Sequence, residues 1–316
     1  MNSLLKTLTI AAALGASPVI MTATPLPDMT DGFSDVLTPD IPEYITFAGE
    51  KIDLSRRDYA ERLDRELTSM IYTHSNTLLQ IKRANRYFPI MAPILKKNCV
   101  PEDLLYLACI ESILNPRAVS HAKAAGLWQF MPATGREYGL EVNEYVDERF
   151  DPEKSTEAAC RYLKSARNRY KGWESAAASY NAGMGRISNE LSNQAVSSAY
   201  ELWLPDETMR YVFRLLAAKM LMENPSKYGF SISANQLYQP YEYRTVTVDT
   251  PVDDWASWAK ENGTNYYIVR EHNPWIRSKS LPNKTGKVYK VRIPTDESMK
   301  RDSSNPSVYN KAWISR

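Results

Sequence analysis

The sequence predicts an α+β protein, with a mainly α-helical domain over residues 56–235 and a small mixed module over 241–295. Apolar residues recur at helical spacing through the stretch from 58 to 230. Beyond about residue 240 the texture changes to short β-like runs, RTVTVD and KVYKVRIP, on either side of the helical stretch PVDDWASWAKENG. A length of 316 residues suits about two domains at the usual ~150 residues each. A hydrophobic fraction of 43% with 24% charged residues is ordinary globular composition.

Taken in order, the chain opens with one cation at Lys6, a mostly apolar run from Leu8 to Met21, then small residues and prolines. This is signal-peptide architecture, expected over 1–23. The run is short of the ~20 residues a membrane span needs and contains Gly15 and Pro18, so no stable transmembrane span is expected in the mature protein. Export to the periplasm, in association with the cell envelope, is the expectation. No cysteine falls before Cys99, which excludes a lipid-modified cysteine after the signal. Residues 24–55, rich in Pro, Asp and Thr, read as an extended leader.

Leu63, Leu67, Met70, Ile71, Leu78 and Ile81 predict a helix from Asp58 to Ile81. A second helix follows from about Arg86 to Lys97, with Pro89 and Pro93 marking its start or a kink. Pro101 with Glu102 and Asp103 opens a third helix through LLYLACIES. Asn115-Pro116 closes it, because the residue before a proline is pushed out of the helical region. Further helices are expected at 152–170, 173–182 and 207–223, and residues 296–316 form a tail.

The charge balance, 39 Lys+Arg against 37 Asp+Glu, argues against a phosphate-binding surface, so nucleic acid is not an expected partner. The balance hides a split: residues 241–316 hold 13 Lys+Arg and 9 Asp+Glu, a net of +4, leaving the remainder slightly acidic. Three cysteines, Cys99, Cys109 and Cys160, allow at most one disulfide, with Cys109 and Cys160 the guessed pair. His74, His121 and His272 lack ligand-like spacing, so neither a metal nor another cofactor is expected. The surplus of 20 Tyr and 7 Trp over 7 Phe favours rings with a polar handle, as sugar contacts use.

With no Gly-x-Ser-x-Gly elbow and no phosphate-binding glycine loop, carboxylates are the remaining chemistry. A carboxylate on an otherwise apolar helical face is the useful filter, and Glu111 passes it. Leu104, Leu107, Ala108 and Glu111 share one face, so its side chain continues a stripe destined for burial. Burial and the negative end of the helix dipole both raise its pKa, as a group that must hold a proton near neutral pH requires. A helix-terminal Glu turned to solvent is the alternative on spacing alone.

The segment ESILNPRAVSHAKAAGLWQFMPATGREYGL resembles the signature of the goose-type lysozyme-like lytic transglycosylases, glycoside hydrolase family 23, and ASYNAG resembles their second signature box. The phrase YVDERFDPEKSTEAACRYLK is similar to the membrane-bound lytic murein transglycosylase D group. The resemblance implies a lysozyme-like α+β fold. It also implies cleavage of the β-1,4 bond between N-acetylmuramic acid and N-acetylglucosamine in peptidoglycan glycan strands, with 1,6-anhydro ends. Glu111 matches the catalytic acid and base. Ser120 and Gln129 match sugar contacts, Met131 a subsite wall, and Tyr180 and Asn181 groups beside the acid. Ser112 is expected to help close the helix end. The chain departs from the pattern at Lys123-Ala124 and at Trp128, which is read as a stacking platform for sugar. A hydrolase of the same fold, drawing on Asp147, Glu148 or Asp151 as a second carboxylate, stays open. So does a catalytically silent wall-binding protein.

The stretch TPVDDWASWAKENGTNYYIVREHNPWI followed by KVYKVRIP resembles a degenerate LysM module of βααβ order, with Trp255, Ala259, Gly263, Asn273 and Pro274 at motif positions. That likeness implies binding to N-acetylglucosamine chains.

Overall fold

The computed structural model describes residues 37–301 and 304–314. The expected signal segment, and the leader as far as residue 36, lie outside the described residues. From Tyr44 to Asp53 the expected extended leader is instead an antiparallel hairpin, β1 (Tyr44–Phe47) and β2 (Glu50–Asp53). The reason is visible in its alternation: Ile45, Phe47 and Ile52 turn inward and join the main core, so the segment has an apolar face to bury.

Helices α1 (Arg57–Tyr72) and α2 (His74–Lys97) replace the two expected helices with a different division. The break falls at Thr73, whose amide and hydroxyl both donate to the Ser69 carbonyl, the hydroxyl at 2.7 Å. Apolar spacing runs through this one-residue break, so periodicity alone cannot show it. Helix α2 then continues through Pro89 and Pro93, each of which removes one internal hydrogen bond. Burial of Ile81, Ala84, Phe88, Met91 and Leu95 along one side holds it together.

Helix α3 (Leu105–Ser112) ends three residues before the expected Asn115 stop. Two consecutive left-handed residues, Ile113 at φ 54° and Leu114 at φ 51°, terminate it. A β-branched residue in that region is strained, and such strain collects at working sites. Helices α4 (Pro132–Glu137), α5 (Pro152–Tyr170), α6 (Trp173–Ala182), α7 (Met184–Asn193) and α8 (Asp206–Glu223) complete the domain. Helices α5, α6 and α8 fall within one residue of expectation. Helix α8 packs along α1, and Glu66 of α1, buried, receives Arg210 at 2.7 Å and Arg214 at 3.3 Å.

The C-terminal module has the order β3 (Tyr243–Val248), α9 (Trp255–Glu261), α10 (Tyr266–His272) and β4 (Tyr289–Pro294), with β3 and β4 antiparallel. Asn273 is its clasp. Wholly buried, its amide donates to the Val269 and Arg292 carbonyls and its oxygen accepts from the Arg292 amide, tying the end of α10 to β4. Trp255 and Trp275 are spent on the module core, the latter stacked on Tyr289 at 5.5 Å. Thr38–Arg316 is one compact unit, and Val146 of the helical domain completes the module core through a bridge to Ile276.

The tail also differs from a free end. Trp313 is buried in the helical domain, its indole donating to the Met222 carbonyl at 2.6 Å and its ring against Phe88. All three cysteines are free, Cys109 and Cys160 as buried core residues, so the guessed disulfide is absent. No described helix is long and apolar enough to cross a membrane.

Candidate functional site

Glu111 stands in the last turn of α3, with Leu104, Leu107 and Ala108 of the same face wholly buried beneath it. Its side chain is half-buried at the end of that stripe. The Tyr211 hydroxyl, from α8, donates to Oε1 at 2.5 Å. Desolvation lifts the carboxyl from its ordinary 4.5 to about 7, against the opposing pull of the Tyr211 hydrogen bond and the Arg214 charge. Tyr211 and Tyr180 are both pushed well above the usual phenol range, by burial first and by the Glu111 charge second. Two phenols held neutral therefore stand near one carboxyl that titrates near neutral pH.

The segment after α3 is held by a small set of bonds. Ser112 Oγ donates to the Ala108 carbonyl at 3.1 Å and to the Leu127 carbonyl at 2.8 Å, tying the helix end to the turn at Leu127. Short bridges join Val119 to Ala125 and Ala125 to Phe130. At the Lys123-Ala124 departure the loop closes on Ser120, whose Oγ accepts from the Ala124 amide at 3.0 Å while Lys123 adopts φ 66°. Gly126 is required by contact as well as conformation: at φ +79°, an added Cβ would lie 1.9 Å from the Arg149 carbonyl oxygen.

Arg149 is the buttress beneath this loop. Buried and paired with Asp147 at 2.7 Å, it donates to the Lys123 and Phe130 carbonyls, both at 2.8 Å. The Asp147 amide donates to the Trp275 carbonyl at 2.9 Å, so the buttress is anchored to the C-terminal module.

A groove of about 510 Å³ brings together Gln129, Met131, Tyr180 and Asn181, with Tyr138 and Arg169 among its other walls. Gln129 has φ 48°, and its amide donates to the Ala118 and Gly126 carbonyls, the polar partners its apolar surroundings require. Met131 is 42% exposed and Asn181 exposed. The Tyr180 hydroxyl donates to the Trp128 carbonyl at 2.8 Å, and its ring packs on Phe130 and Tyr162. Glu111 and Ser120 do not line this groove.

Trp128 corrects the expectation of a stacking platform. It is wholly buried, its indole donating to Thr156 Oγ1 at 2.9 Å, and offers no free face to a sugar. The ring fills an apolar position between the signature loop and α5.

The three carboxylates considered as second acids are already engaged. Asp147 holds Arg149, and Glu148 meets Lys154 and accepts from the Glu141 amide. Asp151 caps α5 through the Glu153 and Lys154 amides and faces Arg292 at 3.5 Å. The acid whose charge acts on Glu111 is Glu207 of α8, paired with Arg214 at 2.9 Å. Among the described residues no group of three or more His, Cys, Asp or Glu is placed to hold a metal.

Tyr211, Glu207 and Arg149 escaped the reading of the sequence. Tyr211 carries a faint signal, a phenol on an otherwise apolar helical face, the same filter that selected Glu111 applied to hydroxyls.

A family model described as Transglycosylase SLT domain matches residues 88–202, and one described as Soluble lytic transglycosylase C-terminal LysM-like domain matches residues 244–297. Tyr211 lies beyond the first match. The chain is similar to Membrane-bound lytic murein transglycosylase D of Escherichia coli (strain K12), 34% identical over 261 residues that cover 80% of this chain and 56% of that protein. The chain thus spans little more than half the length of that relative. A Putative tributyltin chloride resistance protein of Alteromonas sp. (strain M-1) is 33% identical over 39% of this chain and 60% of its own. Among solved structures, the 70 kDa soluble lytic transglycosylase of Escherichia coli overlaps 54% of this chain and 29% of its own, at 24% identity and TM-score 0.40.

Proposed function

We propose, from the match of residues 88–202 to the transglycosylase SLT domain and of residues 244–297 to the soluble lytic transglycosylase LysM-like domain, that the protein is a peptidoglycan lytic transglycosylase of the periplasm. It cleaves the β-1,4 bond between N-acetylmuramic acid and N-acetylglucosamine and leaves 1,6-anhydro ends. The observation that carries this reading is Glu111, a carboxyl lifted to about 7 that still holds its proton in much of the population at neutral pH.

In this mechanism Glu111 gives its proton to the glycosidic oxygen as the bond to the anomeric carbon breaks. The resulting carboxylate takes the proton of the muramyl C6 hydroxyl, whose oxygen closes onto the anomeric carbon and forms the anhydro ring. Glu111 ends protonated, and no water is consumed. Tyr211 stabilises the carboxylate between the two transfers. Gln129, Met131, Tyr180 and Asn181 provide sugar contacts in the groove, and Ser120 a further one from the loop after α3. Trp128 acts indirectly, through the carbonyl that orients Tyr180. The prior engagement of Asp147, Glu148 and Asp151 supports cleavage by a single carboxyl.

Glu207 is the observation that favours a second reading, hydrolysis by a lysozyme-like pair. Digestion of purified peptidoglycan separates the two by mass. Transglycosylation yields anhydromuropeptides, whereas fragments heavier by one water would discard it for hydrolysis. Tyr211→Phe tests the proposed acid directly. Removing a bond that favours the carboxylate raises the Glu111 pKa, so the alkaline limb of the cleavage profile should move upward by on the order of one pH unit. A limb that stays in place would separate Tyr211 from the titrating group.

A further inference from the structure

Between the helical domain and the C-terminal module lies a half-enclosed pocket distinct from the groove. Its volume is about 190 Å³, and it is lined by Arg86 and Tyr87 of α2, Arg117 of the loop after α3, and Tyr241, Tyr243 and His272 of the module side. It is smaller than the ~300–1,000 Å³ of a typical small-molecule site and suits one sugar ring or a short peptide end.

Most of its charge is cancelled internally. Arg117 meets Glu271 at 2.7 Å, and Arg292 meets Glu153 at 3.1 Å and Asp151 at 3.5 Å. Arg86 is different. Its Nε donates to the Gln239 carbonyl at 3.0 Å, and its guanidinium lies 4.6 Å from the Tyr241 ring centre and 5.3 Å from that of Tyr238. No carboxylate among the described residues forms an ion pair with it. Arg86 is thus the one guanidinium of the lining without a carboxylate partner among the described residues, beside the paired Arg117 and Arg292.

The rest of the pocket is aromatic. His272 packs edge-on against Tyr241 at 4.6 Å and against Tyr243 at 5.6 Å, and its Nδ1 lies 3.2 Å from the Tyr243 hydroxyl. Burial lowers the His272 pKa against the pull of the Glu271 charge, with Arg86 and Arg117 acting in the same direction as burial, and Arg86 is the permanent unpaired charge of the site. A planar guanidinium fixed over aromatic rings matches a carboxylate on an aliphatic body.

We propose that this pocket is a second substrate subsite, built jointly by the two domains, that takes a carboxylate-bearing end of the peptide carried by the glycan strand. The proposal rests on the reading of peptidoglycan as substrate. Arg86 holds the carboxylate, and Tyr241 and Tyr243 pack on the aliphatic part. The C-terminal module then serves the enzyme as half of a clamp beside the Asn115-Pro116 turn, whether or not its own surface binds glycan.

The test is binding to the intact protein, measured by calorimetry with a soluble peptidoglycan stem peptide whose carboxylates are free or amidated. The free acid should bind saturably and the amidated peptide at least about tenfold more weakly, with no variant needed. Arg86→Gln, checked for unchanged thermal unfolding, should lose the same factor for the free acid. It should leave the affinity for an N-acetylglucosamine oligomer unchanged. Equal binding of the two peptides, or an oligomer affinity that falls with Arg86→Gln while the peptide affinity does not, would overturn the proposal. Because calorimetry reads binding and the peptidoglycan digestion reads products, peptide binding beside a digest without anhydro products would keep the pocket and discard the transglycosylase reading.

Discussion

Glu111→Gln is expected to reduce release of anhydromuropeptides from purified peptidoglycan by about 10²–10⁴-fold, the range a general acid and base contributes. Gln keeps the shape of the side chain and can still accept from Tyr211, but it has no proton to give at neutral pH. The same variant has a signature in stability. The folded pKa of Glu111, about 7, lies above its ordinary 4.5, so the wild-type carboxyl is accommodated without penalty below about pH 4.5. Its stabilising contribution is lost as pH rises through about 7, because the folded state must then hold a desolvated charge. Glu111→Gln should remove this loss and unfold at an equal or higher temperature than wild type at pH 8. Retention of wall cleavage would dismiss Glu111 as the acid. A lower unfolding temperature at pH 8 would show that the carboxylate, not its proton, is what the fold accommodates.

Trp128→Ala should cost about 3–5 kcal/mol of folding stability, the range for truncating a buried large aromatic side chain. At ~2–4 °C per kcal/mol for a chain of 150–250 residues, the unfolding temperature should fall by on the order of 10 °C. The cost has two parts, a cavity against α5 and an unpaired Thr156 hydroxyl where the indole N–H had donated. Well below that temperature, affinity for N-acetylglucosamine oligomers should change by less than about threefold. Thermal unfolding and oligomer titration together check this. An unchanged unfolding temperature with lost sugar affinity would restore the stacking role that the loop sequence had implied.

These two residues show what was legible in the chain and what was not. Glu111 was legible in two steps: a carboxylate one turn beyond Leu107 and Ala108 on an apolar helical face has a local signal that left a solvent-facing Glu open, and the resemblance of the segment around it decided between the two. Trp128 was misread because a ring within a sugar-binding signature looks alike whether it faces a cleft or the core. Its direction is set by the turn at Gly126 and by Thr156, 28 residues further on. The helices at 152–170, 173–182 and 207–223 and the two strands of the module follow from periodicity and turn chemistry, whereas its strand–helix–helix–strand order is what the LysM resemblance implies. The hairpin at Tyr44–Asp53 did not, because four-residue strands carry too few alternations to stand out from a Pro- and Asp-rich stretch.

The sequence by itself determined the helical character of the first domain, the change of texture near residue 240, and the apolar helical stripe that Glu111 continues. Each depends on neighbours within a few turns. Tertiary structure alone decided that Tyr211, 100 residues away, would donate to Glu111, and that Asp147 and Arg149 would be used as a buttress. It also decided that Arg86 would face Tyr241 across a domain boundary. Each of these pairings joins residues brought together by burial of apolar faces elsewhere, whose free energy is non-directional and leaves no local trace at the polar groups it aligns.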